Sequence, residues 1–182
     1  MNRKDTPERY GSLLIGIHWL MLLLFIAVYA SIELHGIYPK GSEAREAMKT
    51  WHFMFGMLVF VLVWLRLVAR LSGPAPAIRP EPPAWMQWAA RLGHLALYAL
   101  MIGMPLLGWL ILSAAGKPIP FFGLELPALI GENKELSKQL KEVHETLGNA
   151  GYFLIGLHVV AAVYHHRILH DNTMTHMLPG RR

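Results

Sequence analysis

Apolar and polar positions along this chain fall into long blocks, not the short periods of a soluble fold. A membrane-crossing helix needs about 20 mostly apolar residues. Four segments meet that requirement: residues 13–34, 48–71, 85–112 and 140–169. Arg66 and Arg70 fall on the last turns of the second, and Pro105 interrupts the third, which is longer than a span needs. Residues 33–50 are polar, with Pro39 and Gly41 as breakers. Residues 72–83 hold Pro74, Pro76, Pro80, Pro82 and Pro83 and read as a stiff extended connector. Residues 114–138 form a long mixed loop whose end, 132–139, has the pattern of a short amphipathic helix at the interface. No internal repeat is visible. The run beginning at Leu13 exceeds the roughly 7–15 apolar residues of a secretory signal and lacks a small-residue cleavage site, so it reads as a retained first span. The expectation is an all-α, four-helix transmembrane bundle built by residues 1–182 as a single domain.

Composition agrees with a membrane class: 54% of residues are hydrophobic and 16% charged. The formal net charge of +5 does not call for nucleic acid. Lysines and arginines beside membrane spans give the same excess by facing anionic lipid. Their distribution sets an orientation. With the N-terminus in the cytoplasm, Arg3, Lys4, Arg9, Arg66, Arg70, Arg79, Arg91, Arg167, Arg181 and Arg182 lie inside. Lys40, Arg45, Lys49, Lys117, Lys134, Lys138 and Lys141 lie outside. Of the acids, only Asp5, Glu8, Glu81 and Asp171 lie inside. Both termini are therefore expected to be cytoplasmic. There is no cysteine, which removes disulfides, thiolate haem ligation and cysteine-bound iron–sulfur clusters. Ten histidines remain.

Five of them, His18, His52, His94, His144 and His158, lie within spans, where an ionisable group is expensive and points to function. A single one reads equally well as a side chain bonded to a neighbouring carbonyl. Depth sharpens the pattern. His18 lies near the inner end of the first span and His52 near the outer end of the second. His144 and His158 are 14 residues apart on the fourth, close to four helical turns, so they share one face about 21 Å apart. Histidines thus fall in two layers, and two stacked bis-histidine haems fit them. His94 has the depth of His18, and spacing leaves open which of the two pairs with His158. Gly11, Gly16, Gly56, Gly148, Gly151 and Gly156 fit a flat group close to backbone. Ordinary small-residue helix packing explains any one of them nearly as well.

These residues carry a resemblance. Ile17-His18-Trp19-Leu20, Trp51-His52, Gly93-His94-Leu95 and His144-Glu145-Thr146-Leu147 resemble the bacterial cytochrome b561 family. So do the run from Gly151 to His158, His165-His166, and Asp171-Asn172-Thr173 with Met177 and Pro179. The resemblance covers nearly the whole chain. It implies a multi-pass protein of the bacterial inner membrane with four helices and two haem b groups. It implies iron ligation by His18 with His158 and by His52 with His144, which selects His18 over His94 by analogy. It further implies an oxidoreductase in which periplasmic superoxide gives an electron to the outer haem and the electron crosses to the inner haem to reduce ubiquinone.

Bis-histidine iron has no open site, so electron transfer suits it better than oxygen binding. An anionic substrate needs a local positive funnel, and Lys134, Lys138 and Lys141 are candidates, although interfacial lysines also serve simply as a solvated rim. A quinone needs an apolar slot, a polar handle and a proton source. Arg66, Arg70, His165, His166 and Trp19 stand on the inner side, and His165 lies seven residues past His158 on the same face. His165 and His166 also read as plain interfacial residues. Arg66 is alternatively a fork for haem propionates. Trp51, Trp64, Trp85, Trp88 and Trp109 read as an aromatic belt. Two other functions compete: a cytochrome b subunit carrying electrons between a partner dehydrogenase or hydrogenase and the quinone pool, and a haem-free membrane metal transporter. The sequence leaves open a homo-oligomer or a partner oxidoreductase.

Overall fold

The computed structural model describes residues 9–179; Arg3, Lys4, Asp5, Glu8, Arg181 and Arg182, which bear on the orientation, lie outside the described residues. Its body is four helices: α1 (Ser12–Leu34), α2 (Glu43–Leu71), α3 (Ala84–Ala114) and α4 (Lys134–Arg167). Each is long and apolar enough to cross a membrane. Their outward faces are apolar, with Phe153 80% exposed, as suits lipid and not water.

Two boundaries differ from the sequence expectation. α2 begins five residues before the anticipated Met48, because Ser42 caps it, accepting from the Arg45 N–H, and Glu43 and Glu46 complement the first turn. The separate amphipathic helix at 132–139 does not exist. That stretch is the start of α4, capped by Asn133, whose side chain accepts from the Leu136 N–H at 3.0 Å. No glycine or proline lies between Lys134 and Leu147, so nothing stops the helix at the interface. At 34 residues α4 is about 51 Å long and outreaches a bilayer core of about 30 Å. α3 continues through Pro105 without a break.

α1 packs on α2, α3 on α4, and α2 joins the two pairs through α3. The core is Ile17, Met21 and Leu24 of α1, Val59 and Val63 of α2, and Met101 of α3. α1 and α4 meet through side chains. Tyr29 Oη donates to the Gly148 carbonyl at 2.9 Å, Tyr152 Oη donates to Glu33 Oε1 at 2.7 Å, and the two rings lie 4.3 Å apart.

The two ends of the bundle are closed differently. At one end the segment between α3 and α4, expected as plain loop, forms a hairpin of β1 (Pro120–Phe121) and β2 (Leu124–Glu125). Phe122 and Gly123 both take positive φ (47° and 87°), the backbone a tight two-residue hairpin requires. The Phe122 N–H rests on Met54 Sδ at 3.4 Å, tying the hairpin to α2. At the other end the chain beyond α4 folds back over the terminus of the bundle. Trp19 Nε1 donates to the Met177 carbonyl at 2.7 Å and Arg9 to the Leu178 carbonyl at 3.3 Å. Asn172 bonds the proline-rich connector three times: the Arg79 N–H donates to its Oδ1 at 2.7 Å, its Nδ2 donates to the Ala77 carbonyl at 3.2 Å, and its backbone N–H donates to the Arg79 carbonyl at 3.2 Å.

Candidate functional site

Residue spacing on each helix puts the chemistry on the inward seam. On α2 a stripe at steps of four and three runs His52, Gly56, Val59, Val63, Arg66, Arg70. On α4 the matching stripe is His144, Gly148, Gly151, Ile155, His158, Ala162, His165. The facing stripes place imidazoles at two depths. Near the hairpin end, the His52 and His144 rings have centroids 6.2 Å apart. Near the terminal end, His18 and His158 are 6.3 Å apart, and His94 is 5.6 Å from His158. The apolar core of Met21, Val59 and Val63 lies between these layers along α1 and α2.

The terminal-end layer therefore gathers three histidines, and the hairpin-end layer two. Among the described residues no group of three or more His, Cys, Asp or Glu side chains is disposed to hold a metal ion by itself. Imidazoles in facing pairs suit a metal whose remaining ligands come with it, as a porphyrin supplies them. A metal about 2 Å from one nitrogen of each of two opposed imidazoles separates the ring centres by about 6.3 Å. The His52–His144 and His18–His158 separations match that value, and His94–His158 is shorter. Orientation agrees as well. The His52 Nδ1–H donates to the Val28 carbonyl at 3.0 Å, which leaves Nε2 as its free nitrogen. The His144 ring packs against Gly108 of α3, where an added Cβ would stand 3.7 Å from its Cε1. A Cβ added at Gly56, one turn from His52 on the same face, meets no atom within 4 Å. The donor set and its surroundings thus fit haem.

Not every glycine serves that purpose. A Cβ at Gly151 would run into the Tyr29 hydroxyl and sit 3.3 Å from Leu100, and one at Gly148 would meet Met104 at 3.6 Å. Gly151 is thus a helix-packing glycine, the plainer of the two readings open for it, while at Gly148 the added Cβ makes only ordinary contact.

Arg66 lies at the terminal-end layer: its Nη1 donates to the Leu14 carbonyl at 3.4 Å, and its charge reaches His18, His94 and His158. Arg70 lies 5.6 Å above the Tyr10 ring, and Tyr10 packs edge-on to His176 at 6.3 Å. His165 contacts the buried carboxylate of Asp171 through Nδ1, while His166 turns about 100° off the seam. Asp171, Tyr10 and His176 are not among the expected site residues. The signal available for one of them is that Asp171 is the only acidic residue after Glu145. At the opposite end Lys134, Lys138 and Lys141 are exposed and follow one face of α4, roughly 60–120° around the helix from His144. Lys141 is paired with Glu145 at 3.1 Å.

Comparison with known proteins accords with this geometry. A family model described as prokaryotic cytochrome b561 matches residues 9–180. Cytochrome b561 homolog 1 of Escherichia coli K12 is 39% identical over 175 residues, 96% of this chain and 99% of that protein. A Yersinia pestis protein named probable superoxide oxidase CybB is 41% identical over 175 residues, 96% and 98% of the two chains. Cytochrome b561 homolog 2 of Escherichia coli K12 is 31% identical over 186 residues, 98% of this chain and 95% of the relative.

Proposed function

The chain belongs to the prokaryotic cytochrome b561 family, and on that premise we propose that it is a superoxide:ubiquinone oxidoreductase working as one dihaem unit. Membership makes it a multi-pass protein of the bacterial inner membrane carrying b-type haem. The observation that carries the finer reading is the pair of imidazole couples, 6.2 Å and 6.3 Å between ring centres, set at opposite depths of one bundle. The 41% identity to a protein named probable superoxide oxidase supports the choice of donor.

In this reading both termini are cytoplasmic and the hairpin end is periplasmic. His52 and His144 hold the outer haem, and His18 and His158 the inner. The match of 6.3 Å against 5.6 Å supports His18 over His94 as the inner partner. Haem b held this way supplies a one-electron carrier with no open coordination site. The protein's own residues do the rest. Val28 orients His52, and Met21, Val59 and Val63 keep water out between the layers. Lys134, Lys138 and Lys141 raise the local concentration of superoxide at the outer end. Arg66, Arg70, His165 and His166 form the quinone end, with Arg66 also in place for a haem propionate. In balance, two superoxide anions lose one electron each and leave as dioxygen, and one ubiquinone gains both electrons and two protons.

The purified chain tests this. It is expected to contain two haems per polypeptide and to reduce ubiquinone when superoxide is generated, with no partner protein. A preparation of full haem content that reduces no quinone under a superoxide flux would refute the activity and return the chain to a subunit serving a partner dehydrogenase.

A further inference from the structure

Arg66 and Arg70 bring charge to the proposed quinone end, but a quinone that takes electrons must also take protons. His165 is the side chain there best built to supply them, and the chain beyond α4 is shaped around it. After Arg167, His170 adopts the left-handed backbone conformation (φ 53°), which turns the chain back so that the Asp171 N–H reaches the His165 carbonyl at 3.2 Å. The Asp171 side chain is then 1% exposed, and both carboxylate oxygens are engaged. Oδ2 meets His165 Nδ1, and Oδ1 accepts from the Thr173 N–H at 2.9 Å. Thr173 Oγ1 stands 3.5 Å from the same ring nitrogen. A carboxylate on Nδ1 keeps the hydrogen on that nitrogen and fixes the plane of the ring, so Nε2 is the nitrogen left to exchange protons. The His165 side chain keeps 12% of its surface open.

We propose that Asp171 positions His165 as the proton donor to the bound quinone, a role that rests on the quinone-reductase reading above. As ubiquinone takes an electron from the cytochrome, the His165 imidazolium breaks its Nε2–H bond and an O–H bond forms on a quinone oxygen. The neutral ring stays held by Asp171 through Nδ1–H, recovers a proton from cytoplasmic water, and serves the second transfer. The charged and titratable groups around the pair are Tyr164 on the same helix, His176 from the C-terminal segment and, behind it, Tyr10 with Arg70 of α2. Burial opposes the charge of Asp171, but the hydrogen bonds from His165 and Thr173 hold its carboxyl below the usual range, so it is an anion at physiological pH.

The test uses the purified, haem-loaded protein and follows the cytochrome band while a short-chain ubiquinol reduces it, which reads the quinone end without superoxide. Asp171→Asn and His165→Gln are expected to slow this reaction about tenfold or more with the haem spectrum and haem content unchanged. The rate–pH curve should move in Asp171→Asn and flatten in His165→Gln. Asp171→Glu should recover part of the rate, and added imidazole should restore His165→Gln. If both variants keep the wild-type pH profile, or if His165→Gln loses rate that imidazole does not relieve, the proposal is overturned; His165→Gln decides alone where Asp171→Asn does not fold. Wild-type protein that ubiquinol cannot reduce at all removes the quinone reading and the proton role together. Reduction by ubiquinol but not by superoxide removes only the donor and leaves the role of Asp171 standing.

Discussion

At the scale of single residues, the imidazole couple at the hairpin end makes the sharpest prediction. His52 is oriented by the Val28 carbonyl, and His144 packs against Gly108. Neither contact reaches the other layer, so on the proposed dihaem reading His52→Ala or His144→Ala should halve the haem-to-protein ratio and spare the haem of the terminal-end layer, as read by pyridine haemochrome and the residual spectrum. His94→Ala, in contrast, should keep both proposed haems, because the proposed partner of His158 is His18, at 6.3 Å between ring centres against 5.6 Å for His94. Gly151 is critical for another reason. A methyl group there runs into the Tyr29 hydroxyl and crowds Leu100, so Gly151→Ala should destabilise the bundle by about 1–3 kcal/mol in thermal unfolding in detergent.

At the scale of elements, α4 carries the most information. Its seam repeats at steps of four and three from His144 to His165, which makes the histidine layers legible in the sequence from periodicity alone. Its start is not legible in the same way, because the 132–139 stretch is polar and polarity suggests the edge of a helix. In a helix that outreaches the bilayer, polarity marks only where the membrane ends; continuity is decided by caps and breakers, and here Asn133 is the cap. The extension gives Lys134, Lys138 and Lys141 a rigid platform to the side of the hairpin-end layer. Replacing all three by glutamine should slow superoxide oxidation and flatten its dependence on ionic strength, measured by stopped flow at low and high salt. An unchanged rate at low salt would assign the lysines to the solvated rim.

At the scale of the whole molecule, the closed terminal end and the orientation are testable together. The chain has no cysteine, so single cysteines report location cleanly. In intact cells an impermeant maleimide should label Lys117→Cys and spare Arg79→Cys. The Asp171 contact also predicts a pH dependence. Its folded carboxyl lies below the usual value of 3.8, so its contribution to stability is fully present above that range and is lost as pH falls below it. The difference in thermal stability between wild type and Asp171→Asn should accordingly shrink as the pH is taken below 3.8. The sequence by itself determined the four spans and the two histidine depths. It also pointed to the family, because spans and layers depend on composition and helical period, which are local. Only the tertiary structure set the His18 and His94 rings at different separations from His158, brought Asp171 back onto His165, and clamped the proline-rich connector with Asn172. Those relations join segments from 64 residues apart (His94 to His158) to 140 apart (His18 to His158), or turn on one left-handed residue, and no local period encodes them.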